Sequence, residues 1–379
     1  MSDRDEERLA RIALSQLTEP GDPKLIRTAA SVGVVELYEH LRGERDLFGM
    51  REDAAVRLAD IHPERDMERA DARGIRFVIP GDAEWPTRLD ALAECGGQAG
   101  REGVPLGLWV QGPLRLDQVA HSVAVVGSRS ATSYGAEVAI EIGATVAEAG
   151  TCVVSGAAFG IDQAAHRGAL AAEGPTIAVM ANGLDRVYPA AHTNLVRYIA
   201  EHGLVVSELA LGCTVTRWRL LARNRIIAAL GAGTVVVEAA LRSGALSTAN
   251  WTQSLSRPVM AVPGPVTSEP SAGCHQLIRS GAASLVTCGG EVLELTGASG
   301  DHLMAEPRGE ERPRDRLNLR QAQVLDAVPA AQEAPTESIA RAAGMSLRSV
   351  LALLEELYDL EFVVRGENGW QLSALARSA

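Results

Sequence analysis

Lysine is almost missing from this chain of 379 residues: of 36 basic residues only Lys24 is a lysine, and all the others are arginine. A Walker-type phosphate loop needs a lysine directly after its glycines, and Lys24 follows no such loop, so a P-loop ATPase is excluded. A Schiff-base lysine is excluded on the same residue, which lies in a helical stretch far from the glycine loops. Cysteine is sparse too. Cys95, Cys152, Cys213, Cys274 and Cys288 are dispersed, without metal-ligand spacing, and read as reduced thiols. No apolar run approaches the ~18 residues that cross a bilayer, and the opening MSDRDEERLARIAL reads as neither secretory signal nor transit peptide. These absences predict a cytoplasmic protein without a membrane, metal or cofactor requirement. The net charge of −12 at first argues against a polyanionic ligand, but net charge speaks to solubility and long-range fields more than to one site.

What is present is an ordinary globular composition, 46% hydrophobic and 22% charged, long enough for two or three domains. Residues 1–72 read as a helical module, with LARIALSQL and LIRTAASVGVVELYEHL at helical spacing and Glu19-Pro20-Gly21-Asp22-Pro23 as the break. Residues 73–118 hold two strand-like runs, 75–79 and 106–111, and read as a strand-containing extension to the core. Over 119–297 short apolar runs at 123–126, 152–155, 176–180, 204–207, 234–238 and 259–262 alternate with helix-length segments. Strands apolar throughout and joined by helical crossovers predict a parallel sheet covered on both faces, an α/β, Rossmann-like core. Residues 298–316 are polar, aperiodic and read as a linker. Over 317–379 come three helical segments (320–328, 336–343, 346–357) and two short strands (362–365, 370–372) turned by Glu367-Asn368-Gly369, which predicts a winged helix.

The chemistry collects at the ends of the predicted strands. Gly127-Ser128-Arg129 follows one strand, and Ser155-Gly156-Ala157-Ala158-Phe159-Gly160 follows the next. Glycines there expose backbone N–H groups, a helix start attracts anions, and Arg129 offers a bidentate donor to phosphate. Two such loops side by side at the carboxyl edge of a sheet predict a phosphate-rich ligand. Ser155 or Asp162 caps the helix that follows, with capping favoured for Asp162, and His166, one turn after Asp162, reads as its polar partner. Phe159 either stacks on a base or packs. The spacing is not G-x-G-x-x-G, which disfavours NAD. In TRWRLLARNRII, Arg217, Arg219, Arg223 and Arg225 fall within nine positions. Ile226 and Ile227 should pack inward there, leaving Arg223, Asn224 and Arg225 at the ligand edge. Ser243, Gly244 and Ser247 make a further anion-receiving helix start after the 234–238 run.

With these residues assembled the chain resembles the DNA-processing protein A (DprA/Smf) family. The resemblance is carried by VAVVGSR (123–129), SGAAFGIDQAAH (155–166), NGLDRVYP (182–189), RNRIIAAL (223–230), VVVEAALRSGALSTA (235–249) and RPVMAVPG (257–264). It implies a three-part layout of helical SAM-like module, Rossmann-like domain and winged helix. It also implies single-stranded DNA in a basic pocket, a homodimer through the Rossmann-like domain, and loading of RecA recombinase onto incoming DNA during natural transformation, without catalysis. Gly127, Ser128, Arg129, the 155–160 loop and Arg223-Asn224-Arg225 carry over as DNA contacts. The chain departs from the family's pattern at Ala210, Leu211, His275 and in WRLLARNR, positions expected to line the pocket.

Two other classes compete. A Rossmann-like nucleotide phosphoribohydrolase would use Glu238 as acid–base or ribose-binding group, although Leu230-Gly231-Ala232-Gly233 stands where its double glycine belongs. A transcription factor would read duplex through the winged helix, whose would-be recognition helix carries Glu355 and Glu356 against a single Arg348. That balance favours a protein-contact or packing role over sequence-specific base reading.

Overall fold

The computed structural model describes residues 2–43, 57–98, 100–119, 121–305 and 311–378. The chain divides into two compact units, Met1–Met304 and Ala305–Ala379. The first is built on one nine-stranded sheet. Its strands are β1 (Ile75–Val78), β2 (Leu108–Gln111), β3 (Ser122–Val126), β4 (Cys152–Ser155), β5 (Thr176–Met180), β6 (Leu204–Ser207), β7 (Thr234–Val236), β8 (Val259–Ala261) and β9 (Ser284–Leu285). They lie in the order β1-β2-β6-β5-β4-β3-β7-β8-β9. From β6 to β9 all pairings are parallel, whereas β2 pairs antiparallel with β6 and β1 antiparallel with β2.

The apolar strands are explained by burial on both faces. Side chains alternate across a strand, so Ala124 and Val126 of β3 pack with Ile226, Ile227 and Trp251 on one face. Val123 and Val125 pack with Ala139, Ile142 and Ile161 on the other. The helices Arg217–Leu230 and Ala245–Ser254 cover the first face, and Ser133–Glu148 and Ile161–Ala171 the second. The strand runs 75–79 and 106–111 give β1 and β2, the antiparallel edge of this sheet. Three predicted strands, 75–79, 234–238 and 259–262, also end early. After β7, Val237 N still donates to Val126 O, but Glu238 is drawn away to bind the loop after β3. The short edge strand β9 and the helix Gly289–Thr296 were not foreseen.

The N-terminal helices Asp3–Leu17, Pro23–Val32, Val34–Arg42 and Pro63–Asp71 are pinned to the sheet unit by charge. Arg4 and Arg8 converge on Asp82, and Arg8 also donates to Phe77 O. In the second unit, helices Leu319–Ala327, Thr336–Ala343 and Leu347–Asp359 surround a core of Val324, Ile339, Leu354, Phe362 and Trp370. Its hairpin pairs β10 (Val363–Arg365) with β11 (Trp370–Leu372), and Gly366 N donates to Gly369 O across the turn. No helix of the described residues is long and apolar enough to cross a membrane.

Ile142 is fully buried between its helix and the sheet. Ile142→Ala should cost about 2–5 kcal/mol, read as a lower urea midpoint with an unchanged slope.

Candidate nucleic-acid interface

From β3 the chain moves outward through β4, β5 and β6, then returns to place β7 against the other side of β3. This reversal opens a crevice at the carboxyl ends of the strands, where open α/β sheets bind their ligands. A cleft of about 830 Å³ lies there. The loops after β3, β4 and β7 and the first turns of the helix Arg217–Leu230 form its walls. Arg129, Arg217 and Arg242 are exposed on it, and none is in an ion pair among the described residues. With Arg223 below them, four guanidinium groups face one carboxylate, Asp162. An acidic protein thus carries one strongly basic concavity.

The first two loops are interlocked. Ser128 N donates to Glu238 O and Ile161 N to Ser128 O, at 2.7 and 3.1 Å. Gly160 has φ +77°, and a Cβ there would lie 2.2 Å from Ser128 O, so glycine is required on both counts. Gly156 is constrained on one count, since a Cβ would stand 1.8 Å from the buried Arg223 guanidinium. Arg223, almost fully buried, donates through one Nη1 to Gly156 O and Val179 O at 2.6 and 2.8 Å. Asp162 approaches the same loop from its amide side, among the N–H groups of Gly127, Gly156 and Ala158, the last at 3.4 Å. Burial pushes the Asp162 carboxyl up, opposed by Arg223 and by those amides. Burial likewise lowers the Arg223 pKa, opposed by Asp162.

Several expectations are corrected here. The amides of Gly127, Gly156 and Ala158 face Asp162, a built-in anion, so the positive charge offered to the cleft comes from arginine. Ser155 does not cap a helix; its Oγ donates to Val125 O at 2.6 Å and ties β4 to β3. His166 pairs not with Asp162 but with Thr176 Oγ1, 2.7 Å from its Nδ1. Arg225 does not reach the ligand edge. It is fully buried in a bidentate pair with Glu208, at 2.6 and 2.7 Å. Residues two apart on a helix point to opposite sides, so Arg223 and Arg225 cannot share the cleft. Arg219 is bidentate to Glu19, at 2.8 and 2.9 Å, and fastens the arginine helix to the N-terminal helices. Asn224 does line the cleft, its Nδ2 donating to Gly244 O at 3.2 Å, and Ser243, Gly244 and Ser247 line the opposite wall.

The departures at Ala210 and Leu211 do not line the cleft either. Both are buried against Ile12, Phe77 and Trp109. His275 Nε2 lies 3.0 Å from Gly264 O, away from the cleft. Glu238 is 1% exposed, with both oxygens held by Thr132, Oε2 accepting from N at 2.9 Å and Oε1 from Oγ1 at 2.6 Å. It braces the loop after β3 and is absent from the cleft wall, which removes the observation that favoured a phosphoribohydrolase. Among the wall residues that were missed are Arg242 and Tyr188. Both follow a strand, β7 and β5, so the strand-end rule that singled out Arg129 would have found them. A narrow slot adjoins the cleft between Phe159 and Tyr188, which are 44% and 46% exposed.

The profile of the DNA recombination-mediator protein A family matches residues 76–297, the segment that contains the whole cleft. The chain belongs to that family. It is 42% identical over 344 residues to a DprA protein of Mycobacterium tuberculosis, covering 90% of this chain and 88% of that one. It is 40% identical over 221 residues to the Smf protein of Escherichia coli, 57% of this chain and 56% of that one. Among solved structures it superposes on DprA of Streptococcus pneumoniae with a TM-score of 0.62 at 32% identity, over 76% of this chain and 96% of that one. DprA of Helicobacter pylori, whose structure is described by its single-stranded DNA binding mode, gives 0.51 at 26% identity over 58% of this chain and 94% of that one. The relatives called DprA are DNA-processing proteins by name.

Two outcomes follow from the buried charges. Removing one partner of a buried pair strands the other, so Arg225→Ala should cost about 3–5 kcal/mol and lower the melting temperature, while Arg129→Ala should leave it unchanged. Burial holds His166 neutral, its pKa lowered from 6.5 to about 3. The unfolded chain therefore binds an extra proton between those values, so this contribution to stability is full above pH 6.5 and lost toward pH 3. In His166→Gln the acid limb of the stability–pH curve should flatten over that window.

Proposed function

We propose that the cleft binds single-stranded DNA and that the protein is a non-enzymatic mediator, protecting the strand and passing it to RecA recombinase. One observation carries the reading: three exposed, unpaired arginines converge on the sheet's switch point in an otherwise acidic chain. Phosphates contact Arg129, Arg217 and Arg242 and the start of the helix Ala245–Ser254, with Arg223 adding charge from below. Arginine suits this, since its planar fork grips phosphate in bidentate fashion. The half-exposed Phe159 and Tyr188 offer faces for unpaired bases, which a duplex would keep stacked away. The family's description as a recombination mediator supports the hand-over, and the H. pylori structure supports the choice of a single strand.

The finer reading rests on the resemblance. The protein acts in the cytoplasm on incoming DNA during natural transformation, as a homodimer joined through its Rossmann-like domain. Its C-terminal unit is a winged helix that contacts protein rather than duplex, because Glu355, Glu356 and Asp359 lie exposed on the helix that would enter a groove.

Fluorescence anisotropy of labelled oligo-dT and of a matched duplex, across a salt series, tests the core of this reading. Oligo-dT should bind more tightly and with a steep salt slope. Arg129→Ala should weaken it and reduce the slope by about one. Equal affinity for duplex, or a slope unchanged by the substitution, would count against the cleft.

A further inference from the structure

We infer that His192 is a positioning residue for nucleobase binding: it sets the loop after β4 so that Phe159 presents its ring to the slot beside the cleft. This rests on the single-strand reading above and deepens it. His192 ends a short turn, Ala190–His192, four residues after Tyr188. Its side chain is buried and reaches across to the neighbouring loop. There Nδ1 lies 2.9 Å from Ala157 O. A carbonyl oxygen only accepts, so Nδ1 carries the hydrogen and the tautomer is set. Ala157 has φ +51° although it is not glycine, a backbone state that persists only when its surroundings impose it.

The same imidazole meets the Phe159 ring edge-on, with centroids 4.5 Å apart. One side chain therefore fixes both the turn that leads into Phe159 and the ring itself. Phe159 nonetheless remains 44% exposed and lines the slot opposite Tyr188. A ring this exposed gains little from packing alone and would sample several rotamers without a buttress. Through the chain from Tyr188 to His192, the two aromatic walls of the slot are linked. Positioning here means lowering the ordering cost of a stacking platform, and it acts on bases and not on phosphates.

That distinction makes the inference testable with oligo-dT and an abasic oligodeoxynucleotide of the same length, which share phosphates but not bases. Wild-type protein should prefer oligo-dT. His192→Ala should lose about tenfold on oligo-dT, within the range of one stacked base, and nothing on the abasic strand or in salt slope. Phe159→Ala should do the same, and the double variant no more than Phe159→Ala alone. His192→Asn, which retains a donor toward Ala157 O, should recover part of the loss. If His192→Ala melts early, His192→Asn and Phe159→Ala carry the same comparison. Equal losses on both strands would make His192 merely structural, and additive losses would uncouple it from Phe159; either overturns the inference. Equal wild-type affinity for both strands overturns it while leaving the phosphate-binding cleft standing. Failure of wild type to bind either strand overturns the single-strand reading itself.

Discussion

Two buried charges of opposite sign, Asp162 and Arg223, hold the loop after β4 from its two polar sides. The guanidinium takes the carbonyls of Gly156 and Val179, and the carboxylate takes amides at residues 127, 156 and 158. Burying either alone would be costly, and each is tolerated because the other lies near and the backbone completes its hydrogen bonding. The glycines follow from this: Gly156 leaves room for Arg223, and Gly160 lets the loop press on Ser128. Through that contact the loop after β3 is set, with Glu238 bracing its far end, and Arg129 is delivered to the cleft.

The arginine helix shows how a single element divides its charges between binding and architecture. Its exposed first turn carries Arg217 into the cleft. Further along, every residue from Ala222 to Leu230 is buried between the sheet and its neighbours. Arg219 and Arg225 are spent on Glu19 and Glu208, and Arg257 caps the helix end through the carbonyls of Ala228, Ala229 and Gly231. A dense basic run is therefore not a basic patch. The cleft arginines without an ion pair among the described residues, Arg129, Arg217 and Arg242, come from three separate chain segments and are assembled only by the sheet topology.

This division explains what could be read in advance. The parallel core was legible because strands buried on both faces must be apolar throughout, and the strand-end glycines lie at the edge where the cleft opens. The individual roles of Arg223 and Arg225 were not, because they depend on helix phase against neighbours that the sequence does not display. Ser155 and His166 escaped for a related reason: their partners, Val125 O and Thr176, lie on adjacent strands. The antiparallel edge β1-β2 has the same strand signals as the core, so its runs were legible, but their antiparallel direction beside β6 was not. Tyr188 and Arg242 were legible by the strand-end rule and were passed over.

A polyanion that enters at the switch point of the sheet must shield the loops there, which amide hydrogen exchange of the full chain, with and without oligo-dT, would reveal. Slowed exchange should be confined to residues 127–132, 156–162 and 240–248. Protection confined to the second unit, or no change at any of these loops under saturating strand, would contradict it.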